Sequence, residues 1–121
     1  MILRNGKLIL QIYKDDKFYV FSDGVNSAKS TTIVKLGQWQ LIAIKRTADG
    51  TCTFYQDCVD VTDDSSSGTP EAGDTNIIIG NSAAGTNTWD GNIPILKIVK
   101  GLLTTKQIEN YFVATKHYFN K

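Results

Sequence analysis

The chain has 121 residues, which is enough for one domain with a buried core, and we predict a single domain over residues 1–121. Its formal net charge is +1, from 13 basic and 12 acidic residues, which argues against a nucleic-acid partner because such partners favour a concentrated basic surface. No segment reaches the length of a membrane span, and residues 1–16 are too interrupted by charges for a signal peptide. We therefore expect no membrane insertion, and a place on a virion or cell surface would be reached through a larger assembly.

The N-terminal part predicts a β-hairpin that is apolar on both faces. Residues 7–13 and 17–22 are rich in β-branched and aromatic side chains and flank a polar turn. A hairpin that is covered on one side only alternates more regularly between apolar and polar residues. Its second face therefore needs a cover, either another copy of the chain or the C-terminal segment with Tyr111, Tyr118 and Phe119.

The middle of the chain predicts a loop at 23–30, a short strand at 31–36 and then a second hairpin. Residues 38–44 alternate between apolar and polar, the turn sequence Ala48-Asp49-Gly50 follows, and residues 51–56 return the chain. This arrangement is typical of an antiparallel sheet.

A second tight turn is predicted at 57–58. It would pair Gln56 with Val59 and place Cys52 opposite Asp63. The two cysteine sulfurs would then lie too far apart along the ribbon for a disulfide. Two free thiols are therefore favoured.

The following residues predict loops that alternate with strands. Residues 63–75 contain no β-rich residue except two threonines and indicate a long surface loop. A buried strand is predicted at 76–80, a loop at 81–88 and a last long strand at 89–101. Pro94 has no amide hydrogen for a sheet ladder, so that position requires an edge or a bulge.

A short helix is predicted after residue 103. Thr104 and Gln107 have the spacing of a capping box, and apolar residues follow with helical periodicity. We expect about three turns, with Ile108 and Phe112 packed on the sheet.

Five short motifs occur in an order that indicates a family. They are Gly37-Gln38-Trp39, Tyr55-Gln56-Asp57-Cys58, Ile77-Ile78-Ile79-Gly80, Trp89-Asp90-Gly91-Asn92-Ile93 and Leu103-Thr104-Thr105-Lys106-Gln107-Ile108. With the long loop between the second and third motifs, this order resembles the laminin-G-like, pentraxin-like branch of the concanavalin A-like lectin/glucanase superfamily. No single motif is specific, but their combination over residues 37–112 is.

The resemblance implies an all-β fold, an antiparallel two-sheet jelly-roll sandwich with one short C-terminal helix. It also implies that the two tryptophans pack between the sheets and do not stack on a sugar. We expect the structural core to include Trp39, Trp89, Phe54, Ile79 and Ile93.

Two departures from the family pattern bear on the prediction. Cys58 stands where family members usually have glycine, which predicts a turn that is longer than type I′ or differently shaped. Family members also tend to begin with further strands that this sequence lacks. A trimmed sequence, a reduced sandwich and a partner that supplies the missing cover each explain this, and the doubly apolar hairpin favours the last two.

The superfamily includes glucanases, but the chain lacks the groups that glucan hydrolysis needs. A retaining mechanism requires two carboxyl groups about 5 Å apart, and the only glutamates are Glu71 in a predicted loop and Glu109 on the predicted helix. The single histidine is His117, and the sequence contains no Gly-x-Ser-x-Gly motif that could supply the serine of a Ser-His-Asp triad. We predict that the protein is not an enzyme.

Calcium is the one cofactor that the resemblance implies, because family members often bind it at the loop rim through aspartates and carbonyl oxygens. Asp60, Asp63 and Asp64 are our candidate calcium ligands, and Asp63, Asp64, Asp74, Asn81 and Asn87 are candidate ligand-binding residues. No fixed-spacing motif accompanies them, so a solvated acidic loop is the alternative.

Two functions from different classes follow from these observations. The first is a structural or assembly module, for instance in a phage or viral particle or a cell-surface protein, which acts as a homo-oligomer or within a parent assembly. The second is a carbohydrate-binding module that uses the rim loops at 23–30, 63–75 and 81–88. Free cysteines and the doubly apolar hairpin favour the first.

Overall fold

The computed structural model describes residues 2–5, 8–12, 18–22, 27–64, 76–81, 85–86 and 88–119. The strands assigned within them are β1 (Leu3–Asn5), β2 (Leu8–Ile12), β3 (Phe18–Ser22), β4 (Ser27–Ile33), β5 (Ile42–Arg46), β6 (Cys52–Gln56), β7 (Val59–Asp60), β8 (Thr62–Asp64) and β9 (Ile78–Ile79). One α-helix, α1 (Thr105–Thr115), continues into a 3-10 helix at Lys116–Phe119. Across these ranges, no helix has the length and apolar character that crossing a membrane requires.

The strands form two antiparallel sheets. The larger sheet has six strands in the order β8-β4-β3-β2-β1-β9, and the smaller has three in the order β5-β6-β7. The predicted N-terminal hairpin forms from β2 and β3, which pair Leu10 with Phe21 and Ile12 with Tyr19. The prediction of two antiparallel sheets with one C-terminal helix is confirmed.

Strand β4 begins earlier than predicted. The loop expected at 23–30 is already a strand at Ser27, because β4 pairs with β3 on one side and with β8 on the other. Ala28 and Ser30 are both buried. Small side chains let an opposing layer approach closely, and they carry little β propensity that a pattern search could detect.

The chain crosses from the small sheet to the large one at Val61. The 57–58 turn pairs Gln56 with Val59 as predicted, and the Val61 amide still donates to the Phe54 carbonyl at 2.9 Å. The Val61 carbonyl then accepts from the Thr31 amide of β4 at 2.7 Å. The prediction that this strand continues alongside β6 is therefore wrong.

Both cysteines are free thiols, as predicted. Cys52 is buried and Cys58 is half-buried. The turn residues Asp57 and Cys58 both have positive φ, 49° and 72°, which is the backbone of a type I′ turn. The expectation of a longer or differently shaped turn is therefore wrong, and Cys58 occupies a conformation that favours glycine.

The core lies between the two sheets. Its buried members are Ile2, Ala28, Cys52, Phe54 and Val61, and Leu10, Ile12, Val34, Ile42, Ile44, Trp89 and Ile93 pack against them. Phe54 is the largest fully buried side chain, with 1% of its surface exposed. It lies on β6, the central strand of the small sheet, which has a neighbouring strand on each side.

Two residues expected in the core lie outside it. Trp39 is 38% exposed because it precedes β5 and stands against Phe119, with ring centroids 5.1 Å apart. Ile79 is 51% exposed because it belongs to β9, the two-residue strand at the edge of the large sheet. A sheet of three strands cannot cover all of a sheet of six, so the edge is left exposed.

The last predicted strand, 89–101, does not form. Trp89 and Ile93 pack on the core, but no strand is assigned from residue 88 to residue 104. Pro94 lacks an amide hydrogen and so interrupts a ladder where one would begin.

Helix α1 begins as predicted. The Gln107 amide donates to Thr104 Oγ1 at 3.2 Å, and the Thr104 amide donates to Gln107 Oε1 at 2.8 Å, which completes the capping box. Ile108 is its buried residue. Thr105 Oγ1 lies 3.4 Å from the hydroxyl of Tyr55. The residue before Tyr55 in β6 is Phe54, which packs in the core. The described contacts therefore place the helix against the small sheet.

Candidate interaction surface

The most extensive apolar surface of the described chain follows Ile93. Every residue from 94 to 102 is exposed, and we call this stretch the exposed segment. Its five large apolar side chains are between 41% and 62% exposed: Ile95, Leu96, Ile98, Val99 and Leu102. Single exposed apolar residues are ordinary on protein surfaces, but here five lie within eight positions of the sequence, and large exposed apolar patches mark binding sites.

The N-terminal end of the exposed segment is fixed by the Trp89–Ile93 stretch. The Trp89 amide donates to the Gly80 carbonyl at 2.7 Å, and the Gly80 amide donates to the Ile2 carbonyl at 2.9 Å. Gly91 has φ 151°, and a β-carbon built on it would lie 3.0 Å from Trp89 Nε1. The glycine of this motif therefore lets the backbone lie against the indole, while Trp89 and Ile93 contact the core.

The C-terminal end of the exposed segment is fixed by the capped start of α1. Between the two ends, the ammonium of Lys97 lies 4.9 Å from the centroid of the Tyr111 ring. This cation–π contact draws the charged side chain onto the helix. The exposed segment is thus held at both ends and at Lys97, while its apolar side chains face solvent.

A second exposed feature is the aromatic patch formed by Trp39, Tyr118 and Phe119. Trp39 stacks at a tilt of 42° on Phe119, and Tyr118 is exposed. The loop that carries Trp39 is held by Gln40, whose side-chain amide donates to the Lys35 carbonyl at 2.7 Å. The buried Gln56 donates in turn to Gln40 Oε1. A fixed, half-exposed indole is a surface on which a sugar ring can stack.

The candidate calcium ligands are engaged within the protein. Asp60 Oδ1 accepts from the Thr62 amide at 3.0 Å and from its hydroxyl at 2.7 Å, and Asp63 pairs with Lys29 at 3.1 Å. Within the residues that the structure describes, no group of three acidic, histidine or cysteine side chains is placed to hold a metal ion.

The other candidate binding residues are scattered or undescribed. Asn81 follows β9 and is half-buried. Asp74, Asn87 and the side chain of Asp64 lie outside the described residues. Most of the rim candidates therefore lie outside the residues that the structure describes.

The polar groups that could do chemistry are placed for structural roles. Glu109 lies on α1 and pairs with Lys106 at 3.3 Å, while Glu71 lies outside the described residues. Burial raises the pKa of the Cys58 thiol, and the nearby carboxylates of Glu109 and Asp57 raise it further. A thiol with a raised pKa is protonated near neutral pH and is a poor nucleophile.

The exposed segment was missed as a surface because its composition predicts a buried strand. Ile95, Ile98 and Val99 are strong β formers, and with Leu96 they would place apolar residues on both faces of an extended chain. Pro94 is the one sequence signal that argued against ordinary pairing. For Trp39, the signal was its place two residues after Gly37, which has φ 69° and lies in the turn before β5.

In a comparison with protein families, residues 2–109 match the laminin-G-like model of the concanavalin A-like lectin/glucanases superfamily. Comparisons with curated proteins and with solved structures give no significant match. Members of this superfamily are generally not enzymes, although some are glycosidases. The match spans nearly the whole described chain and agrees with two facing antiparallel sheets. The chain therefore belongs to the concanavalin A-like lectin/glucanases superfamily, as a laminin-G-like member.

Proposed function

We propose that this protein is a non-enzymatic structural module that associates with other subunits in an assembly, as in a phage or viral particle or a cell-surface structure. The observation that carries the proposal is the exposed segment, a fixed stretch of chain with five apolar side chains in solvent. A homo-oligomer or a parent assembly that covers these side chains would account for them.

The size of the exposed apolar surface supports this role. A residue of the mass of leucine exposes about 160 Å² in an unfolded chain, so five such residues at the observed exposures present about 400 Å². The largest patch on a typical monomer is about 300–600 Å² and is often functional. At about 25 cal/mol per Å², full burial would contribute about 10 kcal/mol per subunit, which is comparable to the cost of association, about 4–15 kcal/mol.

The arrangement of polar groups supports a role without catalysis. The pairing of Glu109 with Lys106 and the raised pKa of Cys58 leave neither group suited to act as a general acid or a nucleophile. Asp60 and Asp63 are bonded to neighbouring amide, hydroxyl and ammonium groups.

Sedimentation of the parent and two variants at micromolar concentration tests the proposal. We expect the parent to exceed 13.4 kDa and Ile98→Asp to be a monomer, because an aspartate in the centre of the exposed segment would be buried on association. Val113→Asp is the matched control, since Val113 on α1 is 60% exposed but lies outside the segment. It should associate as the parent does. A parent that sediments as a clean monomer would contradict the proposed function.

Carbohydrate binding is a second candidate function, favoured by the aromatic patch. Trp39 is half-exposed and held by Phe119 and by the Gln40 hydrogen bonds, so it offers a fixed surface for a sugar ring. A glycan array with and without a chelator would detect the activity and its dependence on calcium. Binding that survives Trp39→Ala would exclude the aromatic patch as the site.

A further inference from the structure

Helix α1 is docked on the sandwich but lies outside its hydrophobic core. The core cluster that the described residues form ends, in chain order, at Ile93 and includes no residue of α1. Ile108, at 4% exposed, is the one buried side chain of α1, and the 3-10 helix that follows has none. Departure of the helix would therefore leave the core of the sandwich in place.

The described hydrogen bonds that join α1 to the small sheet are long. The hydroxyls of Thr105 and Tyr55 lie 3.4 Å apart, whereas most bonds between hydroxyl groups measure about 2.7–2.8 Å. The thiol of Cys58 lies 3.9 Å from the carbonyl oxygen of Ile108, and a thiol is a weak donor. Burial of the Ile108 side chain therefore contributes more to docking than these hydrogen bonds do.

The chain just before α1 provides a hinge. Every residue of the exposed segment is in solvent, and a β-carbon built on Gly101, which has φ 108°, would have no heavy atom within 4 Å. Rotation at Gly101 would break the contact between the Lys97 ammonium and the Tyr111 ring, and such contacts are weak at exposed sites. The helix can therefore move without displacing a residue of the core.

We propose that α1 and the 3-10 helix form a detachable cover of the small sheet, which opens while the sandwich stays folded and uncovers Tyr55, Cys58 and Trp39. Trp39 is uncovered because Phe119, whose ring centroid lies 5.1 Å from that of Trp39, would leave with the 3-10 helix. An isolated helix of 11 residues is marginal in water, so the opened helix would also lose its structure. The open form is the minor one, and opening requires no other subunit.

Opening would change the chemistry of Cys58. In the docked form, burial raises the pKa of its thiol, and the carboxylates of Glu109 and Asp57 raise it further. Glu109 belongs to α1 and would leave with it, together with Ile108, whose carbonyl oxygen contacts the thiol. The thiolate, which is the reactive form of cysteine, would then be more abundant near neutral pH. The reactivity of Cys58 therefore measures opening.

Alkylation of the parent chain with iodoacetamide separates opening from unfolding, because peptide mass spectrometry resolves the two cysteines. Cys52 lies in the core at 2% exposed and should react only when the sandwich unfolds. Below the urea concentration of the unfolding transition, Cys58 should react faster than Cys52. Its rate should also depend less on urea, because opening exposes less surface than unfolding. Equal rates with equal urea dependence at the two cysteines would overturn the proposal.

Ile108→Ala and Val113→Ala form a matched pair of variants. Both shorten a β-branched side chain of the same helix, but Val113 is 60% exposed. Ile108→Ala should raise the alkylation rate of Cys58 at least about 30-fold, as the loss of a buried isoleucine side chain implies, and should leave the rate of Cys52 unchanged. Val113→Ala should raise neither rate, because alanine favours the helix and no docking contact is lost.

Thr104→Ala is a second variant, at an exposed position. It removes the N-cap of α1 and should raise the alkylation rate of Cys58 about fivefold, the factor that corresponds to a typical lost cap. Unchanged Cys58 rates in Ile108→Ala and Thr104→Ala would show that the thiol is accessible while the helix is docked. An equal rise at Cys52 would show that helix and sandwich unfold together. Either result would overturn the detachable cover.

Discussion

Replacement of Gly91 by alanine tests how the start of the exposed segment is fixed to the core. The new β-carbon would lie 3.0 Å from Trp89 Nε1 and 3.4 Å from Trp89 Cε2, and it would occupy a backbone conformation of φ 151° that side chains rarely adopt. Overpacking of this kind costs about 1–3 kcal/mol, and the backbone strain adds about 1–3 kcal/mol. We expect a loss of about 2–6 kcal/mol, a large part of a typical stability of about 5–15 kcal/mol.

Urea unfolding followed by tryptophan fluorescence and by circular dichroism measures this loss. Gly37→Ala is the matched control, because Gly37 also has a positive φ, 69°, but has no atom within 4 Å of the added carbon. It should lose about 1 kcal/mol, the cost of a left-handed conformation. Equal losses for the two variants would refute the reasoning, since they would show that the Trp89 indole does not limit residue 91.

Two further predictions concern residues whose placement differs from the sequence-based expectation. Phe54→Ala should cost about 3–5 kcal/mol of stability, as deletions of buried aromatic side chains do. Trp39→Ala should cost only about 1 kcal/mol, because Trp39 contacts Phe119 outside the core. Thermal melts that rank the two variants in the opposite order would contradict the structure. Cys58→Gly should stabilise the protein by up to about 1 kcal/mol, because φ 72° is unfavourable for cysteine. Asp57→Gly should not stabilise it, although Asp57 also has positive φ, because the Asp57 carboxylate accepts from the Leu41 amide at 2.9 Å. A Cys58→Gly variant that is less stable than the parent would show that backbone strain at residue 58 does not decide the effect.

The features that the sequence predicted are those fixed by near neighbours. The capping box of α1 depends on two residues three positions apart, and the 57–58 turn pairs Gln56 with Val59 across a two-residue loop. The two-sheet fold was predicted from the order of motifs, which the family match confirms.

The features that were missed depend on distant parts of the chain. Ser27–Ser30 becomes strand only because β3 and β8 lie on either side of it, and no local pattern reveals that. Likewise, the composition of residues 95–99 indicates that they favour a strand. It does not indicate whether another strand lies close enough to pair with them. Exposure of Trp39 follows from where β5 begins, which alternation alone does not locate.

The same limit applies to the candidate site. Acidic residues close together in the sequence were grouped as candidate calcium ligands, but Asp60 and Asp63 belong to strands of different sheets. Each is bonded to a different neighbour, a threonine in one case and a lysine in the other. Closeness in sequence therefore does not place Asp60 and Asp63 on the same sheet.

The crossing at Val61 has a mechanical consequence. The two peptide groups of this one residue bond to different sheets, its amide to Phe54 in β6 and its carbonyl to Thr31 in β4. Sliding of one sheet over the other would break both hydrogen bonds at once and move Val61 out of the core. Shear between the layers is thus resisted close to Phe54, whose own amide also donates to Thr62 of the large sheet at 2.9 Å, so the sheets should separate only when the whole sandwich unfolds.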